Sequence, residues 1–390
     1  MKRNVHLAQL QGNYLFPEVQ LKKENYLKQN PGVSLISLGV GDTTQPLTGS
    51  ITRALTQASL GLGTEVGYSG YGPEQGKKEL RKKIAQTIFK EKFSWEEIFI
   101  SDGANGDLSR LQLLFGSDIS IAVQNPTYPV YLEGSLIQGV KEIHLMNCHP
   151  ENDFFPDLKK LQRTDIIYFC SPNNPTGAVA TKKQLEELVD FAHKNRSIIV
   201  FDAAYCAYIQ DPTLPKSIYE IERAKEVAIE VSSFSKSAGF TGVRLGWTVV
   251  PKELRYECGH FVLKDWNRLV TTVFNGASNI AQIGGCAALE PEGITEIKGV
   301  VNYYLENAKL IKEAMQALGY EVFGGVNAPY LWVRCKGKKS WELFHYFLEN
   351  KKVVTIPGCG FGSQGEGFIR LSAFGNRQQV LTAIERISCQ

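Results

Sequence analysis

Several common features are missing from this chain of 390 residues, and each absence removes a class of protein. Its eight cysteines include no Cys-x-x-Cys pair and its six histidines do not cluster, so neither a disulfide framework nor a metal site is expected. The cysteines, among them Cys148, Cys170, Cys206 and Cys335, read as reduced side chains packed as small apolar groups. No apolar run is long enough to span a bilayer, and Met1 to Leu10 lacks the sustained apolar core of an export signal. Charge is balanced, with 43 Lys and Arg against 40 Asp and Glu, which excludes the basic stripe of a nucleic-acid binder. Internal repeats and low-complexity tracts are absent too. What remains is the expectation of a globular, cytoplasmic, enzyme-sized chain whose partners are small molecules, with no nucleic acid and no membrane among them.

What is present begins at Ser232 to Trp247, where Lys236 stands among hydroxyls and glycines and Arg244 follows within the same segment. A lysine amine captures aldehydes, while serine hydroxyls beside a fixed guanidinium suit a phosphate. Ser-x-x-Lys also occurs by chance and in serine acyl enzymes, so the fragment alone does not decide. Upstream, Ser197 to Phe201 reads as a buried, β-branched strand with Asp202 and Tyr205 at its C-terminal end, the edge where open α/β sheets bind ligands. Ile166 to Cys170 is a second apolar strand, running into the stiff turn Ser171 to Gly177, after which Thr181 and Gln184 form a capping box. A cap or turn role would account for Asn174 or Asp202 singly. The order Asn174, Asp202, Tyr205, Lys236, Arg244 at successive strand ends points to one site.

An anion site is predicted independently. Glu97 to Ile100 reads as a strand, Gly103 to Asn105 as the turn after it, and Asp107 onward as a helix with Leu108, Leu111 and Leu114 on one face. Amides at such a helix start, helped by the helix dipole, favour a phosphate of charge about −2. Tyr128 follows the next strand, Ile119 to Val123, in a turn between two prolines. Near the C-terminus Arg370 sits in the alternating strand Gly367 to Ser372, where an inward arginine calls for an anion or a structural ion pair.

With these residues in place, the chain resembles the class I and II aminotransferases, the fold-type-I pyridoxal phosphate enzymes, over nearly its whole length. The resemblance implies Lys236 as the Schiff-base lysine and proton shuttle, Asp202 on the pyridine nitrogen, and Asn174 and Tyr205 on the ring oxygen. It implies Tyr128 stacked on the ring and Ala104, Asn105, Ser233, Ser235, Arg244 and Asn275 among the cofactor-binding residues. Arg370 would grip the substrate α-carboxylate by two parallel hydrogen bonds, Gly41 would allow its approach, and Tyr14 would close over it. Asn13 to Phe16, Gly39 to Thr44, Gly70 to Gly76, Ser101 to Asn105 and Phe274 to Ser278 are similar to the diaminopimelate-using branch of the family. That similarity implies ping-pong amino transfer between glutamate/2-oxoglutarate and LL-diaminopimelate/tetrahydrodipicolinate, in lysine biosynthesis. It also implies Glu74 for the distal ammonium, Asn105 nearby, Tyr128, Asn174 and Asn275 along the substrate, and Tyr71 and Asn275 supplied by the second subunit of a homodimer. One departure stands out: the plant-like branch carries lysine after Gly-Ala, where this chain has Asn105. A transamination or β-elimination on another amino acid, and a non-catalytic binding protein on the same fold, are the alternatives.

The alternation of short apolar runs with helical periodicity from about Asp42 to Glu290 predicts an α/β fold, a mostly parallel sheet with helices on both faces. Gly293 to Leu318 reads as a long helix stopped by Gly319, with Val300, Tyr304, Ile311, Met315 and Leu318 on its buried side. The expected organisation is a large cofactor-binding domain, 42–290, and a smaller α+β domain of 1–41 with 291–390. The latter would hold a strand at Pro329 to Val333, a helix at Trp341 to Glu349, the Arg370 strand and a terminal helix from Gln378.

Overall fold

A computed structural model describes residues 1–10 and 15–389; Tyr14 lies outside the described residues. Its strands are β1 (Ile36–Ser37), β2 (Ile98–Ser101), β3 (Ser120–Asn125), β4 (Glu142–Asn147), β5 (Ile166–Cys170), β6 (Ile198–Asp202), β7 (Ala228–Ser233), β8 (Gly246–Val249), β9 (Val322–Gly324), β10 (Tyr330–Arg334), β11 (Val353–Val354), β12 (Ile356–Pro357) and β13 (Phe368–Ser372). Seven of them form one sheet in the order β2-β8-β7-β6-β5-β3-β4. Only β8 runs against its neighbours; the pairs from β7 through β4 are parallel.

Parallel strands covered on both faces must be apolar throughout, and β5 and β6 are buried at every position. The pleat sorts their side chains: Ile167, Phe169, Ile199 and Phe201 enter one core, while Ile166, Tyr168, Ile198 and Val200 enter the other. One consequence of parallel pairing is that Asn125, Cys170, Asp202 and Ser233 all end their strands on the same edge.

Some boundaries differ from the sequence expectation for identifiable reasons. The helix expected from Asp107 begins at Ala104, because Gly103 takes φ +112° and turns the chain directly into it. β3 continues through Asn125, two residues beyond the expected end, since its pairing with β4 runs to Asn125–Asn147. Thr181 and Gln184 form the reciprocal cap on the helix Lys182–Asn195.

A second, antiparallel sheet has the order β12-β13-β10-β9. The expected in-out alternation of the Arg370 strand is absent: all five positions of β13 are buried. This strand is interior to its sheet, with Ile369 and Leu371 in the core on one side and Phe368 in a separate cluster. The helix Pro291–Ala317 serves both sheets, placing Val301 and Tyr304 in a core of the large one and Ala308, Ile311 and Met315 in that of the small one. Val300 and Leu318, expected on the buried stripe, are only partly covered. The helix ends before Gly319 at φ +74°. The small sheet is completed by the helices Ser340–Tyr346 and Arg377–Ser388.

No disulfide links the described cysteines. Cys148, Cys170 and Cys335 are buried as expected, but Cys258 and Cys389 are exposed, lying in a surface turn and at the end of the last helix.

Candidate active site

The C-terminal edge of the parallel strands opens into a cavity of about 550 Å³. Its walls include Ala104, Asn105, Tyr128, Asn174, Asp202, Tyr205, Ser233, Ser235, Lys236, Arg244, Gly41 and Arg370. In the sequence these residues are spread over several loops and two sheets, yet they were expected to form one site. The fold gathers them because each follows the end of a parallel strand or, for Gly41 and Arg370, reaches over from the small sheet's side.

Lys236 lies in the one-turn helix Phe234–Ser237, which β7 feeds directly and the Ser233 side chain caps by accepting from the Ser235 amide at 3.0 Å. Its Nζ donates to the Gly41 carbonyl at 2.5 Å, and its own carbonyl accepts from the buried Tyr208 hydroxyl at 2.8 Å. Burial lowers its pKa to about 8; the nearby Arg370 and Arg244 charges act in the same direction and Asp42 opposes them.

Asp202, at the end of β6, is 5% exposed. Its Oδ2 accepts from the Tyr131 hydroxyl at 2.7 Å and its Oδ1 from the Ala204 amide at 2.9 Å. Burial raises its pKa, while those two hydrogen bonds favour the anion. Tyr131 is itself locked by stacking on Tyr168, with centroids 5.5 Å apart. Tyr205 and Tyr330 pair their hydroxyls at 3.0 Å.

Arg370 is buried at 1% exposure and donates to Asn174 Oδ1 at 2.7 Å and to the Gly39 carbonyl at 2.6 Å. Its guanidinium carbon stands 4.4 Å from the Tyr330 ring centroid and 5.0 Å from that of Phe361. The bond from Arg370 engages the oxygen of Asn174, which leaves the amide nitrogen of that side chain as a donor. At Gly41 a Cβ would come 2.8 Å from the Tyr330 hydroxyl oxygen, so only glycine fits there.

Arg244 holds Ser235 Oγ at 3.3 Å and crosses the start of the helix Ala104–Phe115. A Cβ on Gly103 would lie 2.5 Å from Arg244 Nη2, and one on Gly246 would lie 3.0 Å from the Ala104 nitrogen. Two glycines thus let a guanidinium, two serines and a helix N-terminus converge. This donor set fits a phosphate, and Lys236 and Asp202 in the same cavity fit an aldehyde and a protonated ring nitrogen; pyridoxal phosphate carries all three.

Three expected residues do not line this cavity. Tyr71 is 92% exposed, Asn275 is exposed and Glu74 is partly so. They meet on another surface, where Gly276 packs against Pro73 and Glu74 and Asn279 Nδ2 donates to the Gly70 carbonyl at 2.8 Å. Cys206, adjacent to Tyr205, turns into a separate cavity behind β7.

Sequence reasoning missed Tyr131 and Tyr330, whose partners are distant in the chain, and a whole helix face. Phe16, Val19, Gln20 and Lys23 of the helix Leu15–Gln29 line the cavity mouth. Their i, i+3, i+4, i+7 spacing was the available signal.

This arrangement is that of a fold-type-I pyridoxal phosphate enzyme, and the chain belongs to the class I and II aminotransferases, whose family model matches residues 33–387. It is 53% identical to the LL-diaminopimelate aminotransferase of Protochlamydia amoebophila, covering 99% of this chain and 97% of that protein. It is 51% identical to the chloroplastic LL-diaminopimelate aminotransferase of Arabidopsis thaliana, over 99% of this chain and 86% of that one. Among solved structures, the L,L-diaminopimelate aminotransferase from Chlamydomonas reinhardtii superposes with a TM-score of 0.96 at 52% identity, covering 99% of this chain and 98% of that one.

Proposed function

We propose that the chain transfers an amino group between glutamate/2-oxoglutarate and LL-diaminopimelate/tetrahydrodipicolinate, a step of lysine biosynthesis. The observation that carries the chemistry is a single cavity uniting an amine of lowered proton affinity, Lys236, with the buried carboxylate of Asp202 and the buried guanidinium of Arg370. The choice of substrate rests on the three named relatives, each more than half identical over nearly the full chain.

When bound, pyridoxal phosphate supplies an aldehyde for the amino group and a ring that accepts electrons. Ser233, Ser235, Arg244 and the first amides of the helix Ala104–Phe115 would hold its phosphate. Asp202 would hold the proton of its ring nitrogen, Asn174 and Tyr205 its ring oxygen, and Tyr128 its face. Asn275, from a second copy, completes the set. Lys236 would offer its amine to the aldehyde and serve as the base for the proton at the substrate α-carbon; a positioned base of this kind is worth roughly 10²–10⁴-fold. Its pKa of about 8 gives it a far larger neutral fraction near pH 7 than an ordinary lysine has.

Arg370 is pre-aimed by Asn174 and Gly39 and receives the α-carboxylate, with Gly41 permitting close approach. Tyr71, Glu74 and Asn275 serve the site of a second copy in a homodimer. Their separation from their own chain's cavity, and the exposed Val66, Tyr68 and Val273 around them, support this reading. Among the described residues no helix is long and apolar enough to cross a membrane. A cytoplasmic setting belongs to the same proposal, with the chloroplastic relatives marking the alternative that fractionation would decide.

The test is an amino-donor screen of the purified holoenzyme with 2-oxoglutarate, including LL- and meso-diaminopimelate, phenylalanine and cystathionine. Glutamate formation driven most efficiently by LL-diaminopimelate is expected. A higher kcat/KM with phenylalanine, or pyruvate and ammonia released from cystathionine, would replace the reading.

A further inference from the structure

The cavity walls carry four side-chain cations: Lys236, Arg244, Arg370 and Lys23. The first three have work assigned to them at the aldehyde, the phosphate and the α-carboxylate. Lys23 has none, and sequence reasoning did not single it out. Both proposed amino donors, glutamate and diaminopimelate, carry a second carboxylate at the far end of the carbon chain, and a carboxylate entering a partly dry cavity needs a cation or several donors. Asn105 lines the cavity but offers only a neutral amide.

The helix Leu15–Gln29 sets where Lys23 stands. Phe16 begins the stripe that faces the cavity, and the Arg370 guanidinium carbon lies 5.7 Å from its ring centroid. Val19, Gln20 and Lys23 continue the stripe outward, so Lys23 lies two helical turns, about 10 Å of axial rise, from the residue over Arg370. A substrate gripped by Arg370 at one carboxylate has its other end in the same cavity, whose wall the long side chain of Lys23 also forms. Gln20 is tied to Glu24 at 2.7 Å, whereas Lys23 makes no hydrogen bond or ion pair among the described residues. Its side chain is half-buried at the mouth, where a charge is less screened than on an open surface.

We infer that Lys23 is a specificity-determining residue that receives the distal carboxylate of the amino-acid substrate, in the position where the amide of Asn105 supplies no charge. The inference rests on the proposed aminotransferase reading but not on diaminopimelate itself, because glutamate and 2-oxoglutarate carry the same distal group.

The experiment compares wild-type, Lys23→Met and Lys23→Arg holoenzymes with dicarboxylic substrates (glutamate, 2-oxoglutarate) and monocarboxylic ones (alanine, pyruvate). Calorimetric binding of glutarate and of butyrate to the same holoenzymes gives a readout free of turnover. Lys23→Met is expected to raise KM for the dicarboxylates and Kd for glutarate about tenfold, while alanine, pyruvate and butyrate are unaffected and Lys23→Arg stays near wild type. Arg370→Ala should instead raise KM for both classes. An unchanged glutarate Kd in Lys23→Met, or an equal rise for mono- and dicarboxylates, would overturn the assignment, the second by showing that the helix merely packs over the site. Failure of wild type to use diaminopimelate while still using glutamate would sink the substrate reading and leave this test intact.

Discussion

Two regions of the molecule bear the residues expected at the site, and they are built differently. Around Lys236 and Asp202 every element is packed: Tyr131, Ala204, Ser235 and Gly41 hold the polar groups at hydrogen-bond distance, and the residues come from one chain. Around Tyr71, Glu74 and Asn275 the side chains face outward, and Val66 and Tyr68 are left largely exposed. Buried polar groups must be satisfied within the fold, and here Asp202 and Lys236 find their partners in their own chain. An exposed apolar stretch beside polar side chains is what a surface looks like when its partner is another molecule. On the proposed homodimer reading the labour would divide, with one chain supplying the chemistry and a second copy part of the wall around the ligands.

The strongest way to break this division is to remove the amine. Lys236→Ala should abolish the visible absorbance of the bound cofactor and cost at least the 10²–10⁴-fold typical of a positioned base. Retention of both absorbance and turnover would mean that another group performs the chemistry. A smaller effect is expected at the outward region. Asn275→Ala should weaken turnover without removing the cofactor band, and mixing it with Lys236→Ala should rebuild one intact site per hybrid dimer. Activity of the reassociated mixture no higher than the sum of the two parents would put Asn275 back into its own chain's account.

How legible each region was follows from the range of its contacts. Asn174, Asp202, Lys236 and Arg244 could be grouped from sequence because a parallel sheet puts every strand's C-terminal end on one edge, so position within the strand predicts position in space. Gly103 was readable as a turn, though the helix began at Ala104, three residues before its expected start at Asp107. Tyr131 was not readable: it lies 71 positions from Asp202, in a helix whose local pattern says nothing about a carboxylate. Lys23 was hidden for another reason, since a helical stripe identifies a buried face without telling whether it faces a core or a cavity. The role expected of Tyr71 and Asn275 came only from a resemblance, as nothing in a single chain's periodicity encodes a second copy.

Tyr131 also provides the finest test of the inner region. Burial raises the pKa of Asp202, and the Tyr131 hydroxyl at 2.7 Å opposes that rise by favouring the anion. Tyr131→Phe keeps the ring and its stack on Tyr168 but deletes the donor, so the carboxyl should protonate at a higher pH than in wild type. Because the folded-state pKa already lies above the ordinary carboxylate value, the ionised form is lost as pH falls through it, and in the variant that loss begins earlier on the way down. The acid limb of kcat/KM should therefore move upward by about one pH unit, the worth of one hydrogen bond to a charged group, with the alkaline limb unmoved. If the acid limb stays in place while the fold is intact, Asp202 is held ionised by something other than Tyr131, and the inner region is less tightly coupled than its hydrogen bonds indicate.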